Sequence, residues 1–141
     1  MHREPEDRIE QTVEIPATPG DVYRALTDPA QHTAFTGMKA EGEPRVGGSF
    51  SAFNGYISAK YLELEPGRRI VQEWRTNPVR GARGWPENTP PSILEITLEP
   101  TGQGTKLTLL QRDVPPKDRN EYDAGWRKNY WEPLKKYFAK R

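Results

Sequence analysis

Apolar and polar residues alternate through Arg8-Ile9-Glu10-Gln11-Thr12-Val13-Glu14-Ile15, a period of two that predicts a half-buried strand with Ile9, Gln11, Val13 and Ile15 inward. The pattern then changes. Thr18-Pro19-Gly20-Asp21 reads as a helix start: Thr18 is the N-cap, Pro19 takes the first helical position, and Asp21 completes a capping box. Val22, Ala25 and Leu26 form the apolar side of that helix. Asp28-Pro29 repeats the grammar for a second short helix, which runs to about Thr36 and is stopped by Gly37.

From Glu43 to Asp113 the signals are β. Val46-Gly47-Gly48 is a turn. Ser49–Phe53 and Tyr56–Glu65 form a hairpin across Asn54-Gly55, which accepts the positive φ of a type I′ turn. Glu65-Pro66-Gly67-Arg68 is the next turn. Strands follow over Arg69–Thr76, Ser92–Glu99 and Thr105–Asp113, the last two joined by Thr101-Gly102-Gln103-Gly104, so the order is an antiparallel meander. Asn77 to Pro91 interrupts it as a long loop rich in Pro, Gly and Arg. Pro115-Pro116 ends the sheet, and a helix capped by Asp118 reaches toward Lys140, roughly 35 Å at 1.5 Å per residue. Tyr122, Trp126, Tyr130, Leu134 and Phe138 recur every four residues along it, with Trp131 off the row, wedged against the short helices or near the surface. Pro133 removes an amide donor and predicts a bend or break there.

An antiparallel sheet with one apolar face must cover it, and the last helix alone is long enough to do so. The expected architecture is α+β: a curved antiparallel sheet wrapped around a long C-terminal helix, with a cavity beneath the helix as the natural ligand site. Alternation places Gln11, Gln72 and Gln111 on inward rows. A buried amide without a partner costs about 1–3 kcal/mol. These three therefore either sit near strand ends in partial contact with solvent or line a damp pocket for an amphipathic molecule.

Composition narrows the choice. The chain has 141 residues, 29% charged and 33% hydrophobic, with a mean hydropathy of −0.93. That length suits one domain, expected over 8–141, with the polar residues 1–7 expected to be disordered. No apolar run approaches a membrane span, and no secretory leader is evident. Cys is absent, which fits a cytoplasmic protein. A net charge of +1 with both signs interspersed argues against nucleic acid as a partner.

Catalytic signals are sparse. The two histidines are His2, in the polar N-terminus, and His32, expected to be a solvated side chain on the second helix, so no metal and no cofactor are implied. There is no nucleophile elbow, phosphate loop or metalloprotease motif, and no catalytic residue is assigned. Arg80, Arg83 and Trp85 are read either as a solvated loop or as anchors for an anionic or protein partner.

A family pattern emerges from Asp28-Pro29 to Phe35-Thr36-Gly37, Val46-Gly47-Gly48-Ser49-Phe50, Leu62-Glu63-Leu64-Glu65-Pro66-Gly67, Ile70-Val71-Gln72-Glu73-Trp74-Arg75, Gly104-Thr105-Lys106-Leu107-Thr108-Leu109, and Gly125-Trp126 with Tyr130-Trp131-Glu132-Pro133-Leu134. Together these resemble the activator of heat-shock-protein-90 ATPase homologue-like family, of the START-like (SRPBCC, Bet v-like) superfamily. The resemblance implies the helix-grip fold. Where that family's last strand often ends in His, this chain has Gln111. The function read first is a domain binding a small hydrophobic or amphipathic ligand between the sheet and the last helix; the alternatives are a co-chaperone-like module that modulates a chaperone ATPase and a polyketide cyclase- or hydratase-like enzyme. The expected cavity lining is Phe35, Phe50, Gln72, Trp74, Leu94, Ile96, Leu109, Gln111, Tyr122, Trp126 and Tyr130. An open pocket of about 300 Å³ or more favours binding or catalysis, and a packed interior favours the interaction module. Oligomeric state, monomer or homodimer, is left open.

Overall fold

The computed structural model describes residues 8–77, 85–86 and 88–139. Seven strands form one antiparallel sheet: β1 (Ile9–Ile15), β2 (Glu41–Gly42), β3 (Ser49–Ala52), β4 (Ile57–Glu65), β5 (Arg69–Thr76), β6 (Ser92–Pro100) and β7 (Thr105–Arg112). Their spatial order is β1-β7-β6-β5-β4-β3-β2, so the first strand lies beside the last. Helices α1 (Pro19–Thr27) and α2 (Pro29–Thr36) carry the chain from β1 to the far edge. After β7 comes a 3₁₀ turn (Pro116–Asp118), then α3 (Arg119–Trp126), a π-helical turn (Arg127–Trp131) and α4 (Glu132–Ala139).

The local grammar explains the short helices. Thr18 Oγ accepts from the Asp21 amide at 3.2 Å, and an Asp28 carboxylate oxygen accepts from the Ala30 amide at 3.2 Å. Gly37 closes α2 in the left-handed region at φ 79°. Two features depart from expectation. The β3–β4 connection is wider than a two-residue loop: Ala52 pairs with Ile57, and Phe53, Asn54 and Gly55 all take positive φ. A short β2, Glu41–Gly42, adds an edge strand in a stretch to which the sequence pattern assigns no element. Leu62 forms a bulge between Tyr61 and Glu63, which keeps both Tyr61 and Leu64 on the inner face.

Register builds the core in rows. Ile9, Gln111, Leu94, Gln72 and Tyr61 are successive cross-strand partners, and Ser92, Trp74, Ala59 and Phe50 form the next row toward the hairpin. The helical segments after β7 cover this face.

The C-terminal helix runs unbroken from Arg119 to Ala139, but its hydrogen bonding changes just before Pro133. The Asp118 side chain makes no capping bond; the 3₁₀ turn precedes the helix instead. A regular α-helix would press the Pro133 ring against the Asn129 carbonyl and leave that carbonyl without its amide. The chain widens there: the Glu132 amide donates to the Arg127 carbonyl, five residues back. The extra residue rotates Trp131 onto the buried face, five positions after Trp126, and the two indoles stack at 5.6 Å with planes 17° apart. Trp131 is 2% exposed, which corrects both the off-row and the near-surface readings.

Candidate functional site

The space between helix and sheet is dominated by rings and held by two glutamine–indole pairs. Trp126 Nε1 donates to Gln111 Oε1 at 2.8 Å, and Gln111 Nε2 donates to Ser92 Oγ at 2.9 Å. Ser92 Oγ in turn donates to the Trp74 carbonyl at 2.7 Å. Trp131 Nε1 donates to Gln11 Oε1 at 2.7 Å, and Gln11 Nε2 donates to the Asp123 carbonyl at 2.6 Å. Gln11 and Gln111 are therefore neither solvated strand-end amides nor ligand-seeking ones. They pin the end of α3 to β7 and the π-helical turn to β1. Gln72 is also buried, beside Tyr61 in its row. Burial pushes the Tyr61, Tyr122 and Tyr130 hydroxyls up, so all three are neutral donors.

His32 differs most from the sequence reading. It is 2% exposed, not solvated. Its ring lies 5.0 Å from Phe35, 5.1 Å from Phe50 and 5.3 Å from Tyr130, centroid to centroid. Nε2 sits 3.1 Å from the Tyr130 hydroxyl, and Nδ1 has no hydrogen-bond partner. Desolvation lowers its pKa from 6.5 to about 4, so the imidazole is neutral at pH 7. Its position three residues before Phe35 was the available signal, because residues at that spacing share a helix face. Among the described residues no group of three His, Asp or Glu side chains is placed to hold a metal.

Two spaces remain near the helix. An internal cavity of about 30 Å³ is lined by seven of the expected residues: Phe50, Gln72, Trp74, Leu94, Ile96, Trp126 and Tyr130. His32 and Ile57 also line it. An end pocket of about 170 Å³ lies between α3, the π-helical turn and the β3–β4 hairpin, and Trp74, Tyr122, Trp126 and Tyr130 face it. Phe35, Leu109 and Gln111 line neither space: Phe35 packs on Tyr130 and Tyr137, Leu109 is wholly buried, and Gln111 is occupied by Trp126. Sequence reasoning missed Phe53, Tyr56, Thr76 and Asn129 in the end pocket: the hairpin turn and the π-helical turn bring Phe53, Tyr56 and Asn129 there, beside Thr76 at the end of β5.

Trp85 closes the same end of the molecule. It is 1% exposed, packed at 5.8 Å from Trp74 and 5.7 Å from Tyr122. The Arg75 guanidinium donates to the carbonyls of Trp85, Pro86 and Thr89 at 3.1, 2.7 and 2.6 Å. Trp85 is thus a core residue and neither part of a solvated loop nor an exposed anchor. Arg80 and Arg83 lie outside the described residues, as do residues 1–7.

Comparison with known proteins agrees with this architecture. The family model described as Activator of Hsp90 ATPase homolog 1-like protein matches residues 16–139. The chain belongs to the AHSA1 family. The human activator of 90 kDa heat shock protein ATPase homolog 1 is 29% identical over 122 residues, which are 86% of this chain and 34% of the human protein. The Dictyostelium discoideum homologue is 28% identical over 127 residues, 89% of this chain and 31% of that protein. This AHSA1-family chain therefore spans about a third of the length of these curated relatives. Among solved structures, an HSP90 activator from Plasmodium falciparum superposes with a TM-score of 0.77 at 25% identity, covering 94% of this chain and 96% of that one. CalU16 from Micromonospora echinospora gives 0.71 at 27% identity, covering 92% and 73%. The two solved structures superpose on the helix-grip architecture seen here. Among the described residues no helix is long and apolar enough to cross a membrane.

Proposed function

We propose that this AHSA1-family domain is a co-chaperone-like interaction module that binds an Hsp90-type chaperone and modulates its ATPase. The observation that carries the reading is the packed interior. The internal cavity between sheet and helix is about 30 Å³, a small fraction of the roughly 300 Å³ at which sites for drug-sized ligands begin. Two of the three buried amides that could have held a ligand, Gln111 and Gln11, are bound to Trp126 and Trp131 instead. A domain with so little room inside acts through its surface. The relatives named as activators of this ATPase support the choice of partner, although they are about three times longer than the matched segment.

The test uses purified chain and the Hsp90-type chaperone of the same host. Binding at micromolar concentration together with a change in ATP hydrolysis rate is the expected result. Absence of both, with about 100 μM of this chain present, would sink the reading, since a specific interface of standard size ordinarily binds far more tightly.

A further inference from the structure

We propose that the end pocket is a binding site for a small alkylated-ammonium head group. Its walls carry six aromatic rings: Phe53, Tyr56, Trp74, Tyr122, Trp126 and Tyr130. Ring faces attract a desolvated organic cation through their quadrupoles, and quaternary ammonium groups are the usual occupants of such aromatic cages. Charge points the same way. Among the described residues lining the pocket, Glu121 is the single charged side chain, and it is an acid. The size also fits: about 170 Å³ compares with the roughly 150 Å³ apolar cavity that admits one benzene.

The polar atoms are arranged for a cation with a short polar tail. Tyr122 Oη lies 2.9 Å from Thr76 Oγ1 and 3.4 Å from Tyr56 Oη, a hydroxyl chain along one wall. Asn129, on the π-helical turn, also lines the pocket. Gly125 completes the outline. Glycine is a poor helix former, yet it sits inside α3. No positive φ requires it, and a Cβ there would meet only Asn129 Nδ2, at 3.7 Å. What its missing side chain leaves is open space in the pocket wall.

The inference is independent of the chaperone reading, since the pocket can be filled whether or not a chaperone binds elsewhere. Fluorescence of the tryptophans, two of which stand in the pocket wall, reports occupancy of the purified chain. Titration with choline should be saturable, and about tenfold tighter than with its neutral isostere 3,3-dimethyl-1-butanol. Gly125→Leu should abolish the choline response while leaving far-UV circular dichroism unchanged. Glu121→Gln, on the exposed rim, should weaken choline binding several-fold without touching the core. Equal affinity for the neutral isostere, or no saturation below about 50 mM choline, overturns the proposal. Sedimentation with phosphatidylcholine vesicles then separates the sources of the head group: co-sedimentation assigns it to a lipid, and choline binding alone assigns it to a free solute.

Discussion

Replacing Gln111 by Met isolates what the glutamine–indole pairs contribute. Met preserves chain length and nearly the volume at a site that is 0% exposed, so little cavity is made. It removes the acceptor 2.8 Å from Trp126 Nε1 and the donor 2.9 Å from Ser92 Oγ. Ser92 keeps its own bond to the Trp74 carbonyl, so the indole N–H is the group left stranded. A buried donor without a partner costs about 1–3 kcal/mol, and we expect a loss near 2 kcal/mol. For a chain of this size that is a fall of about 4–8 °C in Tm. The control is the same substitution in a Trp126→Phe background. There the N–H is gone and the Gln111 oxygen is itself unpaired, so Gln111→Met should cost about 0.5 kcal/mol or less. Urea unfolding of the four proteins measures the coupling, expected at about 1–2 kcal/mol. Equal losses in the two backgrounds would falsify the claim that this bond holds the helix to the sheet.

His32 makes stability depend on pH. Its folded pKa of about 4 lies below the ordinary 6.5, so between those values the unfolded chain binds the extra proton. The contribution is fully present above pH 6.5 and is lost as pH falls through about 4, and the gap corresponds to about 3 kcal/mol. Denaturant unfolding at pH 7 and pH 4 should differ less, by about that amount, in His32→Gln, and an unchanged difference would count against burial of a neutral imidazole. Gly104→Ala tests the turn after β6, because a Cβ there would stand 2.2 Å from the Ile15 carbonyl oxygen. It should destabilise by about 2 kcal/mol or more, against about 0.5 kcal/mol or less for Gly102→Ala, whose Cβ meets nothing within 4 Å. Similar melting temperatures for these two variants would place the turn wrongly.

Much of the framework could be read from neighbours in sequence. Thr18 and Asp28 cap their helices through amides two or three residues away, and Pro66-Gly67 turns the chain within four residues, with the Arg68 amide bonded to the Glu65 carbonyl at 2.9 Å. The period of two in β5, β6 and β7 sorted Trp74, Leu94, Ile96, Leu107 and Leu109 onto the inner face, because a pleated strand allows only two directions for its side chains. Seven of the eleven residues expected around a cavity do surround one, but its volume could not be read from their identities.

Tertiary structure decided the rest. Whether Gln111 meets a ligand, water or Trp126 depends on the β6–β7 register and on the phase of a helix fifteen residues further along the chain. That phase is set by the π-helical turn, which widens the helix ahead of Pro133 and swings Trp131 inward to Gln11, 120 positions away. His32 is buried because α2 packs against the Phe50 and Tyr130 rings, and Trp85 because it packs against Trp74 and Tyr122. Periodicity, caps and turns follow from local backbone sterics and amide bonding, which a short stretch of sequence specifies by itself. Which polar atoms find partners, and how much room is left among the rings, depends on close packing between distant segments, and small changes in register or helix phase alter the result.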